Sequence, residues 1–290
     1  MKVAVIIPTF GRRELISHTV GRLRLQTRMP DAVIVSAPDK SHAEPICHPD
    51  MPVEYVYGAV GSVAQRNAAL DRIVDRYDIA LFLDDDFLPA NDYLERMVDG
   101  FERNADWVVL TGHVLRDGIS SEGISLEEGE AILAASGACP LEIGEARRWH
   151  AGYGCNMAVR ISTIASERFD ERLVLYGWQE DVDFTRRVAR HGNIIRHTSL
   201  RGVHLGVKNG RTSGVRFGYS QIVNPIYLLR KGSVTLAMAA GLMGRNIAAN
   251  LAKSVRPEPW IDRRGRLRGN LIAGYHVLRG RVEPEYVLEL

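Results

Sequence analysis

Five apolar residues, Ile79 to Leu83, run without interruption into three successive acids, Asp84, Asp85 and Asp86. An apolar run with no polar alternation reads as a strand buried on both faces, the interior of an α/β sheet. The acids then sit at the strand's carboxyl end, where open α/β sheets bind their ligands. Extended backbone would send Asp84 and Asp86 to one side and Asp85 to the other. Two carboxylates on one side repel unless a cation joins them, and a small set of oxygen ligands suits Mg²⁺ or Mn²⁺ together with substrate phosphates. The residues leave two readings, a divalent metal holding a diphosphate or an acidic turn closing a strand. Three charges abutting a buried strand are costly without a partner, which favours the metal.

The chain before this point alternates strands with helices. Strands are predicted at Lys2–Ile7, Val33–Val35 and Val53–Val56, and helices through Leu15, Val20 and Leu23 and through Ala64, Ala68, Leu70 and Ile73. Such alternation over residues 1–110 predicts a mostly parallel, doubly wound sheet with flanking helices. Its strand ends would gather Thr9, Asp39, Arg66 and the aspartates round one crevice. An acid for base or ribose hydroxyls, an arginine for phosphate and a metal for diphosphate suit a nucleotide. Taken singly, Asp39 is an ordinary turn residue and Arg66 a solvated helix charge. Neither the dinucleotide glycine fingerprint nor a P-loop is present.

At 290 residues and 46% hydrophobic content the chain can bury a large core, so disorder is excluded. Cys47, Cys139 and Cys155 are odd in number and widely spaced, which indicates neither a disulfide framework nor a zinc cluster and fits a reducing, cytosolic setting. Val3–Ile7 is too short for a signal peptide's apolar core, and no run is long enough to span a bilayer. The net charge of +2 conceals an asymmetry. Residues 1–195 carry 21 Lys and Arg against 30 Asp and Glu, and residues 196–290 carry 16 against 5. An acidic body with a basic end points to an anionic surface at that end.

Residues 111–148 are polar and read as a variable insertion carrying no nameable chemistry. Trp149 to Asn156 places two glycines among large and polar residues, which fits either a close approach to a ligand, with Asn156 in reach, or a tight turn. In Tyr176 to Phe184, acids open a helix, which its dipole alone would favour. Trp178 just before Glu180 and Asp181 also supplies an aromatic platform for a sugar beside a possible general base. A lone His204 is most simply a hydrogen-bonded structural residue, with completion of the metal shell as the alternative. Lys208 and Arg211 nearby could clamp phosphate.

Together these segments resemble the family 2 glycosyltransferases, the inverting group with the GT-A fold. The likeness rests on Pro8-Thr9, Gly61 to Asn67, Asp84-Asp85-Asp86, Phe169-Asp170, Glu180-Asp181-Val182-Asp183 and Asn224 to Lys231. It implies a domain over 1–231, with a nucleotide-binding half at 1–110 and an acceptor and catalytic half at 149–231. It further implies that Pro8, Thr9, Asp39, Arg66, Asp84, Asp85, Asn156 and Trp178 line the nucleotide-sugar site. Asp84, Asp86 and His204 would serve Mn²⁺ or Mg²⁺, and Asp181, with Glu180 beside it, would be the catalytic base. The second strand ends Ser36-Ala-Pro-Asp39 in place of the commoner Asp-Asp-Gly-Ser. The Gln-x-x-Arg-Trp motif of processive synthases is missing, which favours addition of a single sugar.

In residues 232–290, Leu236, Ala240, Met243, Ile247, Leu251 and Val255 recur at helical spacing ahead of the basic Arg263 to Arg268. This reads as an amphipathic helix packed on the body or lying on an anionic membrane. The activity that the resemblance implies is metal-dependent, inverting transfer of one sugar from a nucleotide-diphosphate sugar, a UDP-sugar first among donors. The acceptor would be a glycan or glycolipid hydroxyl, reached by a cytoplasmic protein peripheral on the membrane's cytoplasmic face. The alternatives are a sugar nucleotidyltransferase, or an inactive sugar- or nucleic-acid-binding protein. Aromatic residues barely interleave with the arginines, which argues against a nucleic-acid partner.

Overall fold

The computed structural model describes residues 1–45, 49–137, 145–164, 166–208 and 212–290. Cys47, Cys139 and Arg211 lie outside the described residues, and Cys155 is a free, buried thiol. The strands are β1 (Val3–Pro8), β2 (Ala32–Ala37), β3 (Val53–Tyr57), β4 (Ile79–Leu83), β5 (Phe87–Pro89), β6 (Trp107–Asp117), β7 (Ala146–Arg148), β8 (Asn156–Arg160) and β9 (Asn193–His204). They form one sheet in the order β3-β2-β1-β4-β8-β6-β9-β5, with β7 on β9. The helices are α1 (Arg13–Arg22), α2 (Ser62–Ile73), α3 (Tyr93–Arg103), α4 (Leu126–Ser136), α5 (Glu180–Val188), α6 (Gly214–Lys231), α7 (Leu236–Lys253) and α8 (Arg263–Leu278).

The unbroken apolar character of β1 and β4 follows from burial on both faces. Ala4, Ile6, Ala80 and Phe82 pack toward α2, α5 and α6, while Val3, Val5, Ile7 and Leu81 pack toward α1 and α3. Each fully buried side chain of Phe82's size contributes about 2 kcal/mol by leaving water. The parallel, doubly wound part is confined to β3-β2-β1-β4. Beyond β4 the sheet is mixed, with β8 antiparallel to both β4 and β6, and β6 parallel to β9.

Two expectations need correction. The chain does not stay extended past Leu83 but turns, with the Phe87 amide donating to the Asp84 carbonyl at 3.1 Å. Residues 111–148 do not begin as an insertion, because β6 runs through Asp117 and is the longest partner of β9. The pairing of β5 with β9 sets Phe87 opposite His204, and that of β6 sets Asp117 opposite the same histidine. Residues more than 80 positions apart thereby meet at one edge of the β4 turn.

The carboxyl-terminal helices dock on the body. Helix α8 crosses α6 so closely that a Cβ on Gly218 would stand 2.0 Å from the Arg266 carbonyl oxygen, and one on Gly269 2.1 Å from that of Val215. Buried amides knit the seam, with Asn250 of α7 donating to Gln221 and Asn270 at 2.8 and 2.9 Å. The basic run is partly absorbed here. Arg263 is buried against Glu258 and Asn250, and Arg266 lies over the Phe217 ring at 4.4 Å. Among the described residues no helix is long and apolar enough to cross a membrane.

Candidate functional site

The turn after β4 distributes its three aspartates as the alternation argument expects, although the backbone is not extended. Asp85 points inward, accepting from the Thr9 hydroxyl and from Arg12, each at 2.6 Å. Asp84 and Asp86 point the other way, toward His204, whose Nε2 stands 3.9 Å from an Asp84 oxygen and 3.3 Å from an Asp86 oxygen. One ligand atom from each of Asp84, Asp86 and His204 falls within 4.8 Å of the others. Two carboxylates and an imidazole so placed match the donor chemistry of Mn²⁺ and accept Mg²⁺ through their oxygens.

His204 is oriented for this by Asp117, whose Oδ1 lies 2.9 Å from Nδ1, and Asp117 is held in turn by the Tyr153 hydroxyl at 2.8 Å. A carboxylate on one ring nitrogen directs the other toward a metal and raises its basicity. Burial pulls the His204 pKa down, but Asp86, Asp117 and Asp84 override it and raise it to about 10. Asp86 is held below the usual carboxylate range, because His204 and Arg12 outweigh the effect of burial. Asp85 is pushed up to about 7 by burial, with Arg12 opposing and Asp86 adding.

The second acidic set reaches the same place through Arg66. This buried side chain on α2 pairs with Glu180 through Nη1, and through Nη2 with Asp84 at 3.0 Å and the Gly154 carbonyl at 3.2 Å. It also lies 5.6 Å over the Phe169 ring, which stacks on Phe184 of α5. Asp181 at the start of α5 accepts from the Gly154 amide at 2.9 Å and from the Val182 amide at 2.8 Å. Burial raises its pKa above the ordinary carboxylate value despite those donors and Arg66, with Asp84 adding to the rise. Glu180 is raised further by burial, against the pull of Arg66. Gln179, just before the helix, adopts left-handed backbone (φ 74°), and Gly177 does so (φ 62°) where a Cβ would stand 2.6 Å from Val63. Strained backbone at such a position is a frequent companion of functional sites.

The remaining residues divide. Pro8 and Thr9 are buried, and the Thr9 hydroxyl donates to Asp85. Asp39 is exposed past β2 and accepts from the Ser41 hydroxyl and amide. Trp178 is half-buried, its ring edge-on to Phe217 and its carbonyl bonded by Asn224. Asn156 departs from the expectation of a sugar contact. It is wholly buried, and its side-chain oxygen accepts from the Thr111 hydroxyl and the Gly112 amide, tying β8 to β6. The Lys208 ammonium donates to the carbonyls of Gly118 and Ile119. Asp183 is also fully buried, with Lys231, Arg187 and Ser233 as partners.

Three participants were not anticipated. Asp117 sat in a stretch read as polar insertion, Arg12 in a turn, and the exposed Phe10 stacks on His42 at 4.6 Å beside the ends of β1 and β2. The double arginine after Gly11 was the one available signal for Arg12.

The sequence model described as glycosyl transferase family 2 matches residues 4–130, which bears out the resemblance over that stretch. No curated protein matches the chain. Among solved structures, S. aureus TarS matches with a TM-score of 0.55 at 15% identity, covering 89% of this chain and 46% of that one. This chain thus spans about half the length of that protein. A shorter form, TarS 1–349 in complex with UDP-GlcNAc, matches with a TM-score of 0.50 at 14% identity over 89% of this chain and 77% of that one. The mannosyltransferase PcManGT from Pyrobaculum calidifontis, in complex with GDP-Man and Mn²⁺, matches with a TM-score of 0.52 at 15% identity over 97% and 81%. These likenesses establish the fold, a GT-A type α/β architecture.

Proposed function

We propose that this chain, which carries the glycosyl transferase family 2 sequence over residues 4–130, is a metal-dependent inverting glycosyltransferase. It would move one sugar from a nucleotide-diphosphate sugar to an acceptor hydroxyl. The observation that supports this most is Arg66, whose buried guanidinium joins Asp84, at the end of β4, to Glu180, at the start of α5. Residues 1–110 form the donor half in this reading and residues 149–231 the acceptor half. Solved relatives in complex with GDP-Man and Mn²⁺ and with UDP-GlcNAc favour a nucleotide-sugar donor.

Asp84, Asp86 and His204 would hold the cation. When bound, it supplies positive charge against the departing diphosphate, an effect worth several kcal/mol. Phe10 and His42 offer a stacked platform for the base near Asp39, and Arg12 keeps Asp85 and Asp86 in place. Asp181 accepts the proton of the attacking hydroxyl, which approaches opposite the nucleotide and inverts the anomeric centre. The amides of Gly154 and Val182 fix that carboxylate. Trp178 stands two residues before Glu180 as a surface for the sugar.

The acceptor is proposed to be membrane-proximal. Helix α7 exposes Leu236, Ile247 and Leu251, followed by Val255, beside the exposed Arg245, Lys253 and Arg264. Such a mixture favours an anionic lipid surface. Flotation with anionic vesicles tests it, and absence of binding ends that part of the reading. The donor site is tested by thermal shift with UDP and GDP, each with and without Mn²⁺. Stabilisation that requires both is expected, and none with any nucleotide would overturn the assignment.

A further inference from the structure

A cleft of about 240 Å³ opens between the end of β7 and the far end of α5, lined by Arg148, Trp149, His150, Arg186, Asn193 and Ile194. We propose that it binds a phosphate group carried by the acceptor, which rests on the reading of Asp181 as the base.

The placement is set by the segment from His150 to Gly154, which runs alongside α5 in the opposite direction. Gly154 donates to Asp181, Gly152 to the Thr185 hydroxyl at 3.0 Å, and the His150 carbonyl accepts from Arg186 at 3.4 Å. The cleft and the base therefore lie at two ends of one track. The helix rise puts Arg186 about 7.5 Å along the axis from Asp181. The pKa of His150, which lines the cleft, is lowered by burial and by Arg186, with Asp181 opposing them.

The charge is one-sided. Arg147 on β7 is directly opposite Arg196 on β9, and both guanidiniums lie over Trp149, at 4.8 and 5.1 Å from the ring. Neither lines the cleft itself, but both border its Trp149 wall and add positive charge beside it. Arg196 also lies 2.9 Å from His113, whose pKa is lowered by burial and by that arginine. Among the described residues no carboxylate pairs with Arg147 or Arg148, and the acid nearest in sequence, Glu145, joins the strand edge through its backbone. Arginine on a planar aromatic wall suits a doubly charged, multiply accepting group. Phosphate fits that description better than carboxylate.

The test is titration of the full chain with inorganic phosphate in EDTA, which keeps the metal-dependent donor site unassembled, read by tryptophan emission. We expect a saturable change that disappears in Trp149→Phe, persists in Asp86→Asn and Arg148→Lys, and weakens about tenfold in Arg148→Ala as a charge-assisted contact is lost. No saturable change, an unaltered affinity in Arg148→Ala, or acetate binding as tightly as phosphate overturns the proposal. Competition by glucose 1-phosphate would identify a soluble phosphosugar, and competition only by vesicles containing phosphatidic acid a lipid-borne phosphate. Nucleotide stabilisation with Mn²⁺ on the same samples reports separately on the transferase reading. Its presence without phosphate binding defeats this proposal alone, and phosphate binding without it defeats the acceptor assignment.

Discussion

Asp117 holds Nδ1 of His204 at 2.9 Å, and so turns Nε2 toward Asp84 and Asp86. The proposed metal site therefore depends on β6, a strand that would contribute no ligand of its own. Replacing Asp117 by Asn should weaken Mn²⁺ binding about 10- to 100-fold, as for other partners of ligating histidines, while leaving the fold intact. Isothermal titration with Mn²⁺ measures this, and an affinity equal to the wild type would remove Asp117 from the site.

The base assignment predicts a split between binding and turnover. Asp181→Asn should retain metal-dependent nucleotide binding yet lose about 10²- to 10⁴-fold in transfer, the range for general-base catalysis. Comparing nucleotide affinity with turnover in the variant decides it. Full turnover would assign the proton to another group.

The raised pKa of Asp181 has a pH signature. Only the ionised carboxylate accepts a proton, so transfer should rise with pH through an apparent pKa above the ordinary value of about 3.9. Stability should move the opposite way. Folded Asp181 and Glu180 keep their protons to higher pH than the unfolded chain does. Unfolding then releases protons in that window, and stability falls as pH rises through it. Urea unfolding across pH measures the slope, which should be shallower in Asp181→Asn.

Arg66 is buried with Glu180, so Arg66→Ala leaves a carboxylate uncompensated. A loss of about 3–5 kcal/mol is expected, the usual cost of breaking a buried pair. Acid should soften the loss by protonating Glu180. Denaturation at two pH values checks both the size and the direction.

Much of residues 1–110 was legible because the signals there are local. The apolar runs of β1, β2 and β4 are continuous since both faces are covered, and Asp84, Asp86 and Arg66 stand at predictable strand and helix ends. What escaped depends on pairing across long separations. The parallel register of β6 on β9 and the short β5 bring Asp117 and Phe87 to His204, and nothing near Asp117 in sequence marks that. Asn156 misled for the converse reason: a polar residue after two glycines suggested a ligand, yet its amide satisfies buried strand edges. The basic Arg263 to Arg268 looked like one surface patch until the close crossing of α8 on α6 absorbed Arg263 and Arg266.

The proposal that the two acidic sets serve one reaction is most directly tested by a crystal structure with Mn²⁺ and a nucleotide-diphosphate sugar, with the ion located by anomalous scattering. The account predicts the manganese peak between Asp84, Asp86 and His204, and the anomeric carbon facing Asp181. A peak elsewhere, or a donor whose sugar lies out of reach of Asp181, would contradict it.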